Sequence, residues 1–77
     1  MLESNHNYRR EFVKRLNILL DELYDGDTDY MARDIGISRR SLQYYLEGKR
    51  MPTIDILVKI KVSTGETFEW ILGFSRV

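Results

Sequence analysis

Glycines punctuate this chain at short intervals, and a good helix-capping residue follows most of them. Gly26, Gly36, Gly48 and Gly65 each close a stretch, while Asp27 or Thr28, Ser38, Thr53 and Thr67 stand ready to open the next. The intervals leave room for short helices only. No segment alternates apolar and polar residues as a half-buried strand would. The chain is therefore expected to be all-α.

The longest periodic stretch runs from Tyr8 to about Tyr24. Phe12, Val13, Leu16, Leu19, Leu20 and Leu23 fall in one arc roughly 120° wide at 100° per residue, which is an amphipathic helix. Asp25-Gly26-Asp27 breaks it. A second helix is expected to reach about Ile35, with Thr28, Ala32 and Ile35 on one face and Met31 beside Ile35. Gly36, Ile37 and Ser38 form a three-residue turn. A third helix follows over Arg39 to Glu47, a fourth from Thr53 to about Thr64, and a last short one over Phe68 to Leu72. Residues 1–7 show no periodicity and read as a flexible N-terminal tail, so residues 8–74 are expected to be one domain. At 77 residues there is room for no more.

Composition removes several classes of function. The absence of cysteine excludes disulfides and thiolate metal sites. Apolar runs no longer than three residues exclude a membrane-spanning helix, and the first residues begin no signal peptide, so a cytoplasmic protein is expected. The 12 basic and 12 acidic side chains cancel, which argues against simple electrostatic attraction to nucleic acid. The cancellation is not local, however. Residues 21–34 sum to −5, residues 39–61 to +4 and residues 9–15 to +3. Steering depends on such local fields rather than on the total.

The stretch from Thr28 to Glu47 has the physics of a tight helix pair. Ala32 is small enough for the third helix to cross closely above the second. Gly36 accepts the positive φ of a sharp turn, Ile37 plugs the angle, and Leu42, Tyr45 and Leu46 anchor the third helix. This spacing resembles the helix-turn-helix of the lambda-repressor and Cro family, often called XRE-like. Gly48-Lys-Arg-Met-Pro52-Thr-Ile is similar to that family's G-K-R-x-P-S-L connector, and the segment from Leu57 to Gly73 is similar to the last two helices of its phage-type members. The resemblance covers about residues 10–73. It implies a compact five-helix lambda-repressor-like domain that binds a double-stranded DNA operator. Thr28 stands where the family often has a Gln that touches a phosphate, with Asp27 and Asp29 beside it.

The third helix is suited to base reading whatever the family name. With Leu42, Tyr45 and Leu46 buried, its outer face presents Arg40, Gln43, Tyr44 and Glu47, with Arg39 at the exposed N-terminal turn. Arg grips guanine O6/N7 bidentately, Gln grips adenine, and Tyr reaches a phosphate or a thymine methyl. Arg39, Arg40, Gln43 and Tyr44 are thus the candidate base readers. Thr28, Ser38, Lys49 and Arg50 are the candidate phosphate contacts. Arg9, Arg10, Lys14 and Arg15 are placed either against the same backbone or on an ordinary charged face. Ile56 and Val62 flank the core stripe of the fourth helix. Trp70, Ile71 and Phe74 crowd the C-terminal segment, and aromatic clusters of that kind are enriched at interfaces. They suggest a homodimer seam, as does the family resemblance; the other reading, that they complete a small core, weighs equally for Trp70 and more for Ile71.

Three tempting signals fail. Asp25-Gly-Asp27-Thr-Asp29 looks like a calcium loop, but its sixth and twelfth positions are Tyr30 and Gly36 rather than Gly and an acid. His6, the one histidine, has no partner for metal or triad chemistry. The glycines are dispersed and form no phosphate loop. Neither an enzyme, a cofactor nor a small-molecule ligand is expected. The leading expectation is a small Cro-like or controller-type transcription regulator reading a pseudo-palindromic operator as a dimer. The alternative is a protein-interaction module of the same fold, an antirepressor or antitoxin-like subunit.

Overall fold

A computed structural model describes residues 6–74, which form α1 (Tyr8–Tyr24), α2 (Thr28–Ile35), α3 (Arg39–Leu46), α4 (Ile54–Thr64) and α5 (Phe68–Ile71). Among the described residues there is no strand. Helix α1 is the hub, packing on α2, α3 and α5, while α4 closes the other side against α2 and α5. Phe12 and Leu16 of α1, Met31 of α2, Leu42 of α3, Ile60 of α4 and Ile71 of α5 are the most deeply buried large side chains. Every helix contributes to one core. Burying a side chain of this size contributes about 1.5–3 kcal/mol, so no helix of this length is stable apart from the others.

Capping sets where each helix begins. The Asn7, Asp27, Ser38, Thr53 and Thr67 side chains accept the backbone N–H of Arg10, Tyr30, Ser41, Ile56 and Trp70 respectively. Asp27 rather than Thr28 therefore opens α2. Asn7 as the α1 cap, and His6 hydrogen-bonded to the Leu72 carbonyl, bring the last two residues of the supposed tail into the fold. Residues 1–5 of that tail lie outside the described residues. Helices α3 and α5 each end one residue earlier than expected, with Glu47 and Leu72 as C-caps.

Helix α1 departs from its sequence pattern in its last turn. Leu23, near the centre of the apolar arc, is 48% exposed, while Tyr24 beside it is 4% exposed. Asp25 takes the left-handed conformation at φ 53°, and the Gly26 N–H reaches back to the Leu20 carbonyl at 2.9 Å. The chain then turns towards the Tyr24 side. There Tyr30 of α2 packs edge-on at 5.0 Å, and Asp34 accepts the Tyr24 hydroxyl at 2.7 Å. Burial, then the Asp34 hydrogen bond, push the Tyr24 phenol well above its ordinary pKa.

The turn between α2 and α3 is built as its residues predict. Gly36 sits at φ 91°, and the Ala32 carbonyl accepts the N–H groups of both Gly36 and Ile37 at 2.9 and 3.0 Å. Ala32 is buried at the crossing and Ile37 is half-buried in the angle. At the far end of α3, the Asn17 amide of α1 donates to the carbonyls of Leu46 (3.0 Å) and Val13 (2.8 Å). Helix α3 is thus held at both ends.

Candidate nucleic-acid interface

Anchoring of Leu42, Tyr45 and Leu46 turns the opposite side of α3 outward. Arg39, Arg40, Gln43 and Tyr44 line one shallow depression there. An eight-residue helix is about 12 Å long and, with side chains, about 10–12 Å across, a match for a major groove about 12 Å wide. All four candidate base readers therefore share one face.

That face is already knitted together by contacts within the chain. Arg39 Nε lies 3.4 Å from Asp29 Oδ1 of α2. Gln43 Nε2 donates to Glu47 Oε2 at 2.7 Å, and Lys49 Nζ lies 3.0 Å from Glu47 Oε1. The Gln43 amide first, and Lys49 second, hold the Glu47 carboxyl below the usual carboxylate range. The Arg50 guanidinium lies 4.8 Å over the Tyr44 ring. Among the described residues, Arg40 is the one of the four base readers whose side chain makes no ion pair, hydrogen bond or cation–π contact. The Arg39–Asp29 pair is more than half exposed on both sides, and such pairs contribute roughly 0–1 kcal/mol. It can open at little cost to the fold.

The candidate phosphate contacts lie at two levels. Lys49 and Arg50 stand exposed on the connector just past α3. Gly48, at φ 75°, brings that connector onto α1, where a Cβ would sit 3.2 Å from the Val13 side chain. Ser38 is exposed, but its hydroxyl is shared between the Ser41 N–H and the Ser41 hydroxyl. Thr28 is half-buried in the first turn of α2. Arg9, Arg10 and Lys14 are exposed beside Gly48 and Met51, on the rim of a second open groove. Arg15 points elsewhere. It ion-pairs with Glu11, donates to the Trp70 carbonyl at 2.8 Å and lies 5.0 Å from the Trp70 ring centre, so it ties α1 to α5.

In the C-terminal segment, Ile71 is 1% exposed and packs inside the core of its own chain. Trp70 is half-buried under Arg15. Phe74 stacks on His6 with ring centres 4.1 Å apart, and His6 Nε2 donates to the Leu72 carbonyl. His6 thus has partners that its position in a supposed tail concealed.

The sequence placed Glu47 on the outer face of α3 and Asp29 beside Thr28, but not their contacts with Gln43, Lys49 and Arg39. The i, i+4 spacing of Gln43 and Glu47 was a readable signal. The Asp29–Arg39 pair joins two helices and had none. A family model described as Helix-turn-helix matches residues 28–71, which takes in α2 to α5 and leaves out α1. No curated protein and no solved structure matches the chain.

Proposed function

The chain belongs to the helix-turn-helix family of DNA-binding regulators, of the lambda-repressor type, and from that premise we propose that it reads a pseudo-palindromic operator as a homodimer and represses transcription by occluding polymerase. The observation that carries the reading is the gathering of Arg39, Arg40, Gln43 and Tyr44 on one outward face of α3, with Lys49 and Arg50 beside it. In this reading Arg40 and Gln43 project into the major groove. Arg39 and Tyr44 border them. Lys49 and Arg50 meet the backbone that passes the end of α3, and Thr28 and Ser38 meet it at the helix starts.

The internal acids give the face a second role for phosphate. An incoming backbone competes with Asp29 for Arg39 and with Glu47 for Lys49, since both pairs are exposed. Gln43 must also leave Glu47 before its amide can meet an adenine edge.

A second reading is favoured by the same acids. Asp29 and Glu47 offset half the positive charge of Arg39, Arg40, Lys49 and Arg50, and the neutral total charge suits a protein partner in an antirepressor or antitoxin-like assembly. Selection of binding sites from random duplexes at low salt separates the two. Enrichment of a two-fold related sequence supports the operator reading, and enrichment of none rejects it. On the selected site, Gln43→Ala is expected to cost about 1–3 kcal/mol and to relax preference at one base pair. Lys49→Ala is expected to weaken all sequences alike and to reduce the salt slope by about one.

A further inference from the structure

Helix α4 is apolar on the wrong side as well as the right one. Leu57 and Ile60 point into the core, yet Ile54, Val58 and Val62 on the outer surface are 72%, 42% and 76% exposed. These three recur at i, i+4 and i+8, so they form one stripe spanning about 80° of the helix. Single exposed aliphatics are ordinary on any protein surface, whereas these three line up into one contiguous apolar strip along the helix. We propose that this stripe is the seam of a two-fold dimer in which α4 packs antiparallel on α4 of a second copy.

Self-complementarity identifies the occupant. An antiparallel pairing centred on Val58 sets Val58 against its own copy and Ile54 against Val62 of the second copy, the isologous pattern that a two-fold axis demands. The charges fit the same axis. Asp55 and Lys59 lie along one edge of the stripe, both exposed, and neither forms an ion pair among the described residues. In an antiparallel two-fold pair, like edges meet. Asp55 of each copy then falls within about two residues, roughly 3 Å along the axis, of Lys59 of the other. Two intermolecular ion pairs would flank three apolar contacts.

The seam is small. Stable complexes bury about 800 Å² on each partner, and three aliphatic side chains fall short of that. The free chain is therefore a weak dimer that strengthens when two copies share one duplex and their effective concentration rises. Only this last step rests on the operator reading.

Sedimentation equilibrium of the whole chain without DNA, from micromolar to millimolar concentration at low salt, tests the seam. The mass of the unaltered chain should rise towards twice the monomer, while Val58→Asp stays monomeric with its thermal melt retained. Should Val58→Asp fail to fold, Ile54→Ser carries the same expectation. Asp55→Lys alone sets lysine against lysine, and Lys59→Asp alone sets aspartate against aspartate, so each should stay monomeric. An equimolar mixture of those two variants restores both ion pairs and should regain the doubled mass. The proposal is overturned by a monomer at every concentration, by Val58→Asp associating like the parent, or by a mixture that stays monomeric. Loss of association in Phe74→Ser with Val58→Asp unaffected would instead put the seam at the C-terminal aromatics. Because no DNA is present, a failure here leaves base reading untouched, and a failed site selection leaves this result untouched.

Discussion

Helices α3 and α4 share a core but show solvent opposite chemistries. Helix α3 buries Leu42, Tyr45 and Leu46 and turns Arg40, Gln43 and Tyr44 outward. Helix α4 buries Leu57 and Ile60 and turns Ile54, Val58 and Val62 outward. A strongly amphipathic helix needs only the core it already has. A helix apolar on both sides is satisfied on one side only. The difference teaches that one small domain can present two outer surfaces of different kinds, one offering hydrogen-bonding groups and the other offering aliphatic side chains.

The comparison can be broken most severely at the anchor of α3. Leu42 is fully buried, and Leu42→Ala is expected to cost about 2–5 kcal/mol by denaturant unfolding. Such a loss should abolish both surfaces together, because neither helix holds its place without the common core. A variant that kept the α4 surface while losing α3 would show that the domain does not unfold as one unit.

A smaller effect should separate the two helices. Gly36 sits at φ 91° with open space where a Cβ would lie, so Gly36→Val introduces backbone strain without a clash. About 1–3 kcal/mol of destabilisation is expected, and the strained turn lies next to α3, far along the chain from α4. An unchanged melting temperature would show that Gly36 does not hold the turn. Lys49→Ala, on the exposed connector, provides the comparison and should leave the melt unmoved.

Tyr24 sharpens the comparison through pH. Its folded pKa lies above the unfolded value of about 10, so the neutral phenol contributes its full stability below that value. As pH rises past about 10, the unfolded phenol ionises first and that contribution is progressively lost. Tyr24→Phe should cost about 0.5–1.5 kcal/mol near neutrality. It should also flatten the alkaline fall in melting temperature. Parallel alkaline melts of parent and variant would refute the raised pKa that burial and the Asp34 hydrogen bond give Tyr24. The smallest effect is expected at Val62→Ser, within about 0.5 kcal/mol of the parent at micromolar concentration. A larger destabilisation would mean that the α4 stripe supports the monomer's own fold.

Much of this was legible because local rules govern it. Ser38, Thr53 and Thr67 cap the helices they precede, and Gly36 turns the chain where a positive φ is needed, since caps and turns depend on neighbours a few residues away. The anchoring of α3 was equally legible, as a helical period sorts Leu42, Tyr45 and Leu46 from Arg40, Gln43 and Tyr44. Ile71 could not be assigned from sequence. A four-residue helix has too little periodicity to distinguish a core side chain from a surface one.

By itself the sequence determined the five helices, the helix pair and the set of polar groups on the outer face of α3. Tertiary structure alone decided which of those groups are restrained. Asp29 reaches Arg39 across the helix pair, and Arg15 turns inward to Trp70, 55 positions along the chain. It also decided that Leu23 is left exposed while Tyr24 is covered, because that depends on where α2 happens to lie. Helical period states which side chains share a face. Whether that face meets a neighbour or water depends on the placement of other helices, and that is settled only when all five close on one core.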